Sequence, residues 1–163
     1  MRAALLLIAA LTACTPLPLP TSAPGGGGGL TPDSAGLQPG GTDLRIDFGR
    51  AEDGVIETVS RLVGSNPADV TLIEECGAGP VTAAYWQNGL TANFLDGDFV
   101  GWTVTEPGLP VAGGLSVGMA PPPIQMAETT LGREFETNGV WALVEDGSAE
   151  ITVLWSGITC FFR

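Results

Sequence analysis

Four dipeptides constrain this chain more than any other feature: Asn88-Gly89, Asp96-Gly97, Asn138-Gly139 and Asp146-Gly147. Two-residue hairpin turns need positive φ, which Asn, Asp and Gly tolerate, so each pair marks a reversal between antiparallel strands. Residues 81–87, 90–95 and 99–104 surround the first two pairs and read as a three-stranded meander. The last two pairs recur at a fifty-residue offset, with strands expected over 140–144, 151–155 and 158–162. A further strand fits residues 70–73.

Other elements repeat as well. Val55, Ile56, Val59, Leu62 and Val63 fall on one face of a helix. Glu52 and Asp53 suit its first turn, and Gly64 supplies its stop. A weaker second helix is expected over 124–131, entered through Pro121, Pro122 and Pro123 and closed by Gly132. Ser116-Val117-Gly118 echoes Asp47-Phe48-Gly49, and Trp155 falls near the place of Trp102 once a small insertion is allowed. The expected fold class is therefore α+β: an antiparallel sheet with two short helices on one face, arranged as two tandem helix–hairpin units.

This order of short helix, Gly, extended gap, Trp and paired hairpins over residues 47–155 resembles the tandem α+β units of beta-lactamase-inhibitor-protein-like domains. It also resembles the small lipoprotein of the outer-membrane β-barrel assembly machine. Neither resemblance transfers a binding residue. Trp155, Gly157 and Cys160 to Arg163 are similar to the ending of a group of short lipoproteins without known activity.

The N-terminus sets an address. Arg2 precedes an apolar run over 3–11, far short of the roughly 20 apolar residues a membrane span needs, so it reads as a signal peptide. It ends in Leu11-Thr12-Ala13-Cys14, which resembles the lipobox of bacterial lipoproteins. The resemblance implies cleavage before Cys14 and acylation of that cysteine, palmitate included, with two or three chains giving stable anchoring. Thr15, where inner-membrane retention often uses Asp, implies an outer-membrane site facing the periplasm in a Gram-negative cell. The organisation is then 1–13 signal peptide, 14–41 lipidated Cys and disordered tether, and 42–163 folded periplasmic domain. The tether is inferred from Pro16, Pro18, Pro20, Pro24, Pro32, Pro39 and the run Gly25 to Gly29, and such a chain spans about 30 Å. In this oxidising compartment, Cys76 and Cys160 are expected to form a disulfide.

Composition removes most chemistry. There is no His and no Lys among 163 residues, so imidazole and amine catalysis are absent. The formal net charge of −12 argues against nucleic acid. Gly114-Leu115-Ser116-Val117-Gly118 has the letters of a nucleophile elbow but lacks a base. Gly77-Ala78-Gly79 lacks the third glycine and the helix of a dinucleotide turn, and Pro80 follows it, so a dehydrogenase is not expected. Asp96-Gly97-Asp98 and Glu74-Glu75 lack the ligand spacing of a Ca²⁺ loop. Trp86, Trp102, Trp141 and Trp155 read as sheet packing. No cofactor and no metal are expected. The leading expectation is a non-enzymatic envelope module that binds a protein partner. The alternatives are a structural or assembly-supporting lipoprotein without a tight partner, or an envelope hydrolase using paired carboxylates.

Overall fold

A computed structural model describes residues 29–160 of the chain. The signal peptide, Cys14 and the first part of the tether lie outside the described residues. Among the described residues there are eleven strands and one α-helix: β1 (Leu30–Asp33), β2 (Gly36–Pro39), β3 (Ile46–Asp47), α1 (Glu52–Val63), β4 (Asp69–Ile73), β5 (Val81–Tyr85), β6 (Leu90–Leu95), β7 (Asp98–Val104), β8 (Ala127–Thr129), β9 (Gly132–Thr137), β10 (Val140–Glu145) and β11 (Val153–Gly157). Among the described residues no helix is long and apolar enough to cross a membrane.

The fold class expected from the sequence is corrected. The molecule is mostly antiparallel β, with a three-stranded sheet β1-β2-β3 and an eight-stranded sheet β4-β5-β6-β7-β11-β10-β9-β8. The second helix does not form. Residues 124–131 hold β8 and a tight turn into β9, where the Thr129 hydroxyl accepts from the Leu131 N–H and donates to the Gly132 carbonyl. Apolar positions there are too sparse for a helical face, Thr129-Thr130 is β-branched, and β9 offers a partner.

The strand order is symmetric about the β7·β11 pair, so two four-stranded meanders meet through their last strands. The backbone repeats the relation. The Gly49 N–H donates to the Phe99 carbonyl and the Phe99 N–H to the Arg50 carbonyl, at 2.7 and 2.8 Å. The Gly118 N–H donates to the Ile151 carbonyl and the Ile151 N–H to the Met119 carbonyl, at 2.8 and 2.9 Å. Gly49 and Gly118 both sit at positive φ, 87° and 86°, which favours glycine there. The equivalence of Trp102 and Trp155 fails by one residue. Trp155 pairs with Thr103, and Trp102 with Ser156, so the two indoles point to opposite faces of the sheet.

Turn chemistry explains the hairpins. Asp96-Gly97 and Asn138-Gly139 have positive φ at both residues, as a type I′ turn demands. At Asn88-Gly89 and Asp146-Gly147 only the glycine is left-handed, and the connections are longer. The expected strand over 158–162 is absent at Ile158 to Cys160, and residues 161–163 lie outside the described residues.

One face of the large sheet carries the main core. Leu90, Ala92, Phe94, Trp102, Val104, Ala142 and Leu154 join Val55 and Val59 of α1 and Leu30, Leu37 and Ile46 of the small sheet. That corrects the tether boundary. Residues 30–39, read from the sequence as disordered, form a hairpin in register Leu30↔Pro39 through Asp33↔Gly36. Leu30 and Leu37 are buried, and burying such a side chain contributes roughly 1.5–3 kcal/mol. The Trp102 indole N–H donates to the Asp33 carbonyl at 2.7 Å, satisfying the polar end of the largest fully buried side chain. The Ser156 hydroxyl contacts the carbonyls of Gly139 and Ser34, at 2.8 and 3.4 Å. The hairpin turn therefore sits over the junction of the two meanders.

The opposite face is crossed by the chain leaving β11. The Ile158 N–H donates to the Val100 carbonyl at 2.9 Å, and a Cβ on Gly101 would run into the Ile158 backbone. The chain ends this crossing in the disulfide Cys76–Cys160, which joins the loop after β4 to the segment after β11. The bond ties the outer part of the first meander to the end of the second.

Candidate functional site

An apolar concavity lies between the small sheet and α1. It has a volume of about 580 Å³. Pro39, Thr42, Leu44, Arg45 and Ile46 form one wall. Arg50, Ala51, Gly54, Val55, Thr58 and Leu62 form the other. The helical positions repeat at three- and four-residue steps, so one stripe of α1 lines the groove while Val55 and Val59 reach into the core.

Gly54 opens this groove. It is the third residue of α1, in the first turn, where glycine is a poorer helix former than alanine. A Cβ placed on it would meet nothing within 4 Å, so no close backbone packing accounts for the missing side chain. Leu44, on the facing loop, is 78% exposed, the largest exposure among the big apolar side chains.

The electrostatics are set by three groups. Arg45 is clasped between two carboxylates: its Nη1 and Nη2 donate to the two oxygens of Asp33 at 2.8 and 2.6 Å, and its Nε donates to Asp47 at 2.9 Å. Hydrogen bonding to Asp33 first, then Asp47, raises the guanidinium above its ordinary value, so it stays charged wherever the fold can be studied. Its charge is matched locally, and the clasp ties β1 to β3. Arg50, by contrast, makes no ion pair among the described residues. Glu52, at the start of α1, has its carboxyl pushed up by partial burial and then by the charge of Asp53.

The residues singled out from the sequence are scattered. Cys14 lies outside the described residues. Cys76 and Cys160 are bonded to each other. Ser116 sits in a turn, its N–H facing the Met119 sulfur at 3.2 Å. Gly77-Ala78-Gly79 is the loop beside the disulfide, and Asp96-Gly97 is a hairpin turn. Glu74 and Glu75 are exposed after β4. No group of three His, Cys, Asp or Glu side chains among the described residues could hold a metal ion. Glu134 is the one buried carboxylate among them. Trp86 and Trp102 are buried in the main core, whereas Trp141 stacks on Trp155 across the other face, with ring centroids 6.1 Å apart. Sequence reasoning passed over Leu44, Arg45, Arg50 and Gly54. The signals available were a glycine inside an otherwise regular helix and two arginines in a chain that has six basic residues.

Comparison with family models, curated proteins and solved structures finds no match for this chain.

Proposed function

We propose that this chain is an exported protein, acylated at Cys14 and held at an envelope membrane, whose folded domain binds a protein partner without catalysing a reaction. The lipobox-like Leu11-Thr12-Ala13-Cys14 supports the anchor. The observation that carries the binding role is the groove opened by Gly54 beneath the exposed Leu44. Concave apolar surface with a small number of polar groups at its edge is the usual form of a recognition site. An anchored domain also meets membrane-bound partners at raised effective concentration. The partner inserts an apolar side chain between Leu44 and α1. Its surroundings are basic, because Arg45 is already neutralised by Asp33 and Asp47, and the whole chain carries −12.

Gly54→Leu separates this reading from a merely structural one. The added side chain enters open space and replaces a poor helix former, so the melting temperature should hold or rise. In-cell crosslinking with mass spectrometry should recover a reproducible envelope protein from the native chain and lose it from the Gly54→Leu variant. Recovery of the same proteins from a chain that retains only the anchor and residues 15–29 would overturn the binding role.

A further inference from the structure

The two outer strands of the large sheet occupy matching places in the two meanders, yet they are finished differently. β8 is three residues long, carries Glu128 and follows three consecutive prolines. Short length, charge and nearby proline are the usual means of blunting a sheet edge against further pairing. β4 also carries an acid, Asp69, and follows a proline, Pro67, and differs from β8 in its length and in its exposed apolar residues. It is five residues long, contains no proline, and is exposed along most of its length. Among the described residues no strand pairs with its outer side. Val70 and Leu72 point to the helix-bearing face of the sheet, 48% and 55% exposed. Asp69, Glu74 and Glu75 bracket them.

We infer that β4 is a receptor edge that takes an extended peptide as a ninth strand, apolar at two alternate positions and basic at both ends. The inference rests on the protein-binding reading above and specifies the conformation and charge of the partner segment. Side chains of an added strand alternate between faces, so two apolar residues spaced i, i+2 would cover Val70 and Leu72. Flanking Lys or Arg would meet Asp69 at one end and Glu74 and Glu75 at the other. The edge is also held ready. Cys76 follows β4 by three residues, and its bond to Cys160 restrains the end of a strand that would otherwise fray. Preordering a strand in this way lowers the entropic cost of adding a partner. A second copy of the chain is a poorer occupant, because it would bring two molecules of −12 charge together along edges that each carry Asp69, Glu74 and Glu75.

The test uses the full chain purified from membranes in a neutral detergent. The probe is a fluorescein-labelled ten-residue peptide with valines at two alternate central positions and two lysines at each end. Fluorescence anisotropy should give saturable binding, weakened about tenfold in a Val70→Thr/Leu72→Thr variant, which keeps strand propensity, and about tenfold in an Asp69→Asn/Glu74→Gln/Glu75→Gln variant. Hydrogen exchange should slow at residues 69–73 on adding the peptide and stay unchanged at 127–129. Absence of binding, equal binding of a peptide with the same residues but adjacent valines, or protection at β8 instead of β4 would overturn the inference. So would a native dimer that dissociates in the Val70→Thr/Leu72→Thr variant, which would assign the edge to a second copy. If in-cell crosslinking is lost in Gly54→Leu but unchanged in both β4 variants, protein binding stands and the edge proposal falls.

Discussion

The two meanders share a hydrogen-bonded frame and differ in what lies over it. In the first, the chain leaves Gly49 and enters the twelve-residue helix α1, which caps the sheet with Val55 and Val59. In the second, the chain leaves Gly118 through the same pair of backbone bonds but runs into Pro121, Pro122 and Pro123 and then the short β8. The frame depends on backbone geometry and recurs. The cover depends on whether a stretch offers a helical apolar face. As a result the groove beside α1, with Gly54 and Arg50, belongs to the first meander, and so does the open edge at β4.

The hairpin β1–β2 bridges the comparison, because it covers both halves at their junction, and its removal should have the largest effect. Deleting residues 30–41 strips Leu30 and Leu37 from the core, leaves the Trp102 indole without its acceptor and removes Asp33 from the Arg45 clasp. The expected loss is roughly half or more of the 5–15 kcal/mol typical of a domain, with both halves melting together. Circular dichroism melting checks this. A transition within a few degrees of the full chain, or two separate transitions, would show that the halves stand without the hairpin.

A smaller effect is expected from the disulfide. Its loop spans 84 residues of sequence separation, for which the chain-entropy account gives at most about 4–5 kcal/mol. Cys76→Ala/Cys160→Ala should lower the melting temperature and speed amide exchange in β4 before β8, since the bond anchors the first meander's outer loop. Uniform acceleration across both halves would remove the distinction.

The smallest effect concerns α1, for which the second half has no counterpart. Partial burial and Asp53 raise the Glu52 carboxyl in the folded state, so the fold holds that proton more tightly than the unfolded chain. Ionisation at neutral pH therefore costs the folded state, and this penalty disappears as pH falls through the raised value and below the ordinary carboxylate range. Glu52→Gln should melt slightly higher than the native chain at pH 7 and equally at about pH 3, where the Glu52 carboxyl is protonated in the folded and the unfolded chain alike. A variant that melts lower at pH 7 would mean that attraction of Glu52 to the helix N-terminus outweighs its burial.

Local chemistry made part of this molecule legible without its structure. Positive φ at Asp96-Gly97 and Asn138-Gly139 is decided within two residues, and the span of α1 within twelve, so turn and helix signals located them. The cysteine pairing followed from having two cysteines after Cys14. Other features depend on partners distant in the chain. Residues 30–39 look like a continuation of the proline- and glycine-rich tether, and they are ordered because Ile46 pairs with Leu37 and Trp102 donates to Asp33. Within residues 124–131, Ala127–Thr129 became a strand because β9 was adjacent. Whether a tryptophan faces the core or the opposite side turned on a one-residue register between β7 and β11, which neither strand encodes alone. The groove was least visible of all, because Gly54 appears in the sequence only as a weak point in a helix. Its open side exists only where β3 and the loop bearing Leu44 lie opposite α1. Sequence determined the bends and the helix through short-range φ and periodicity; tertiary packing decided the faces, the edges and the cavity, because each of these is a relation between segments that the chain holds far apart.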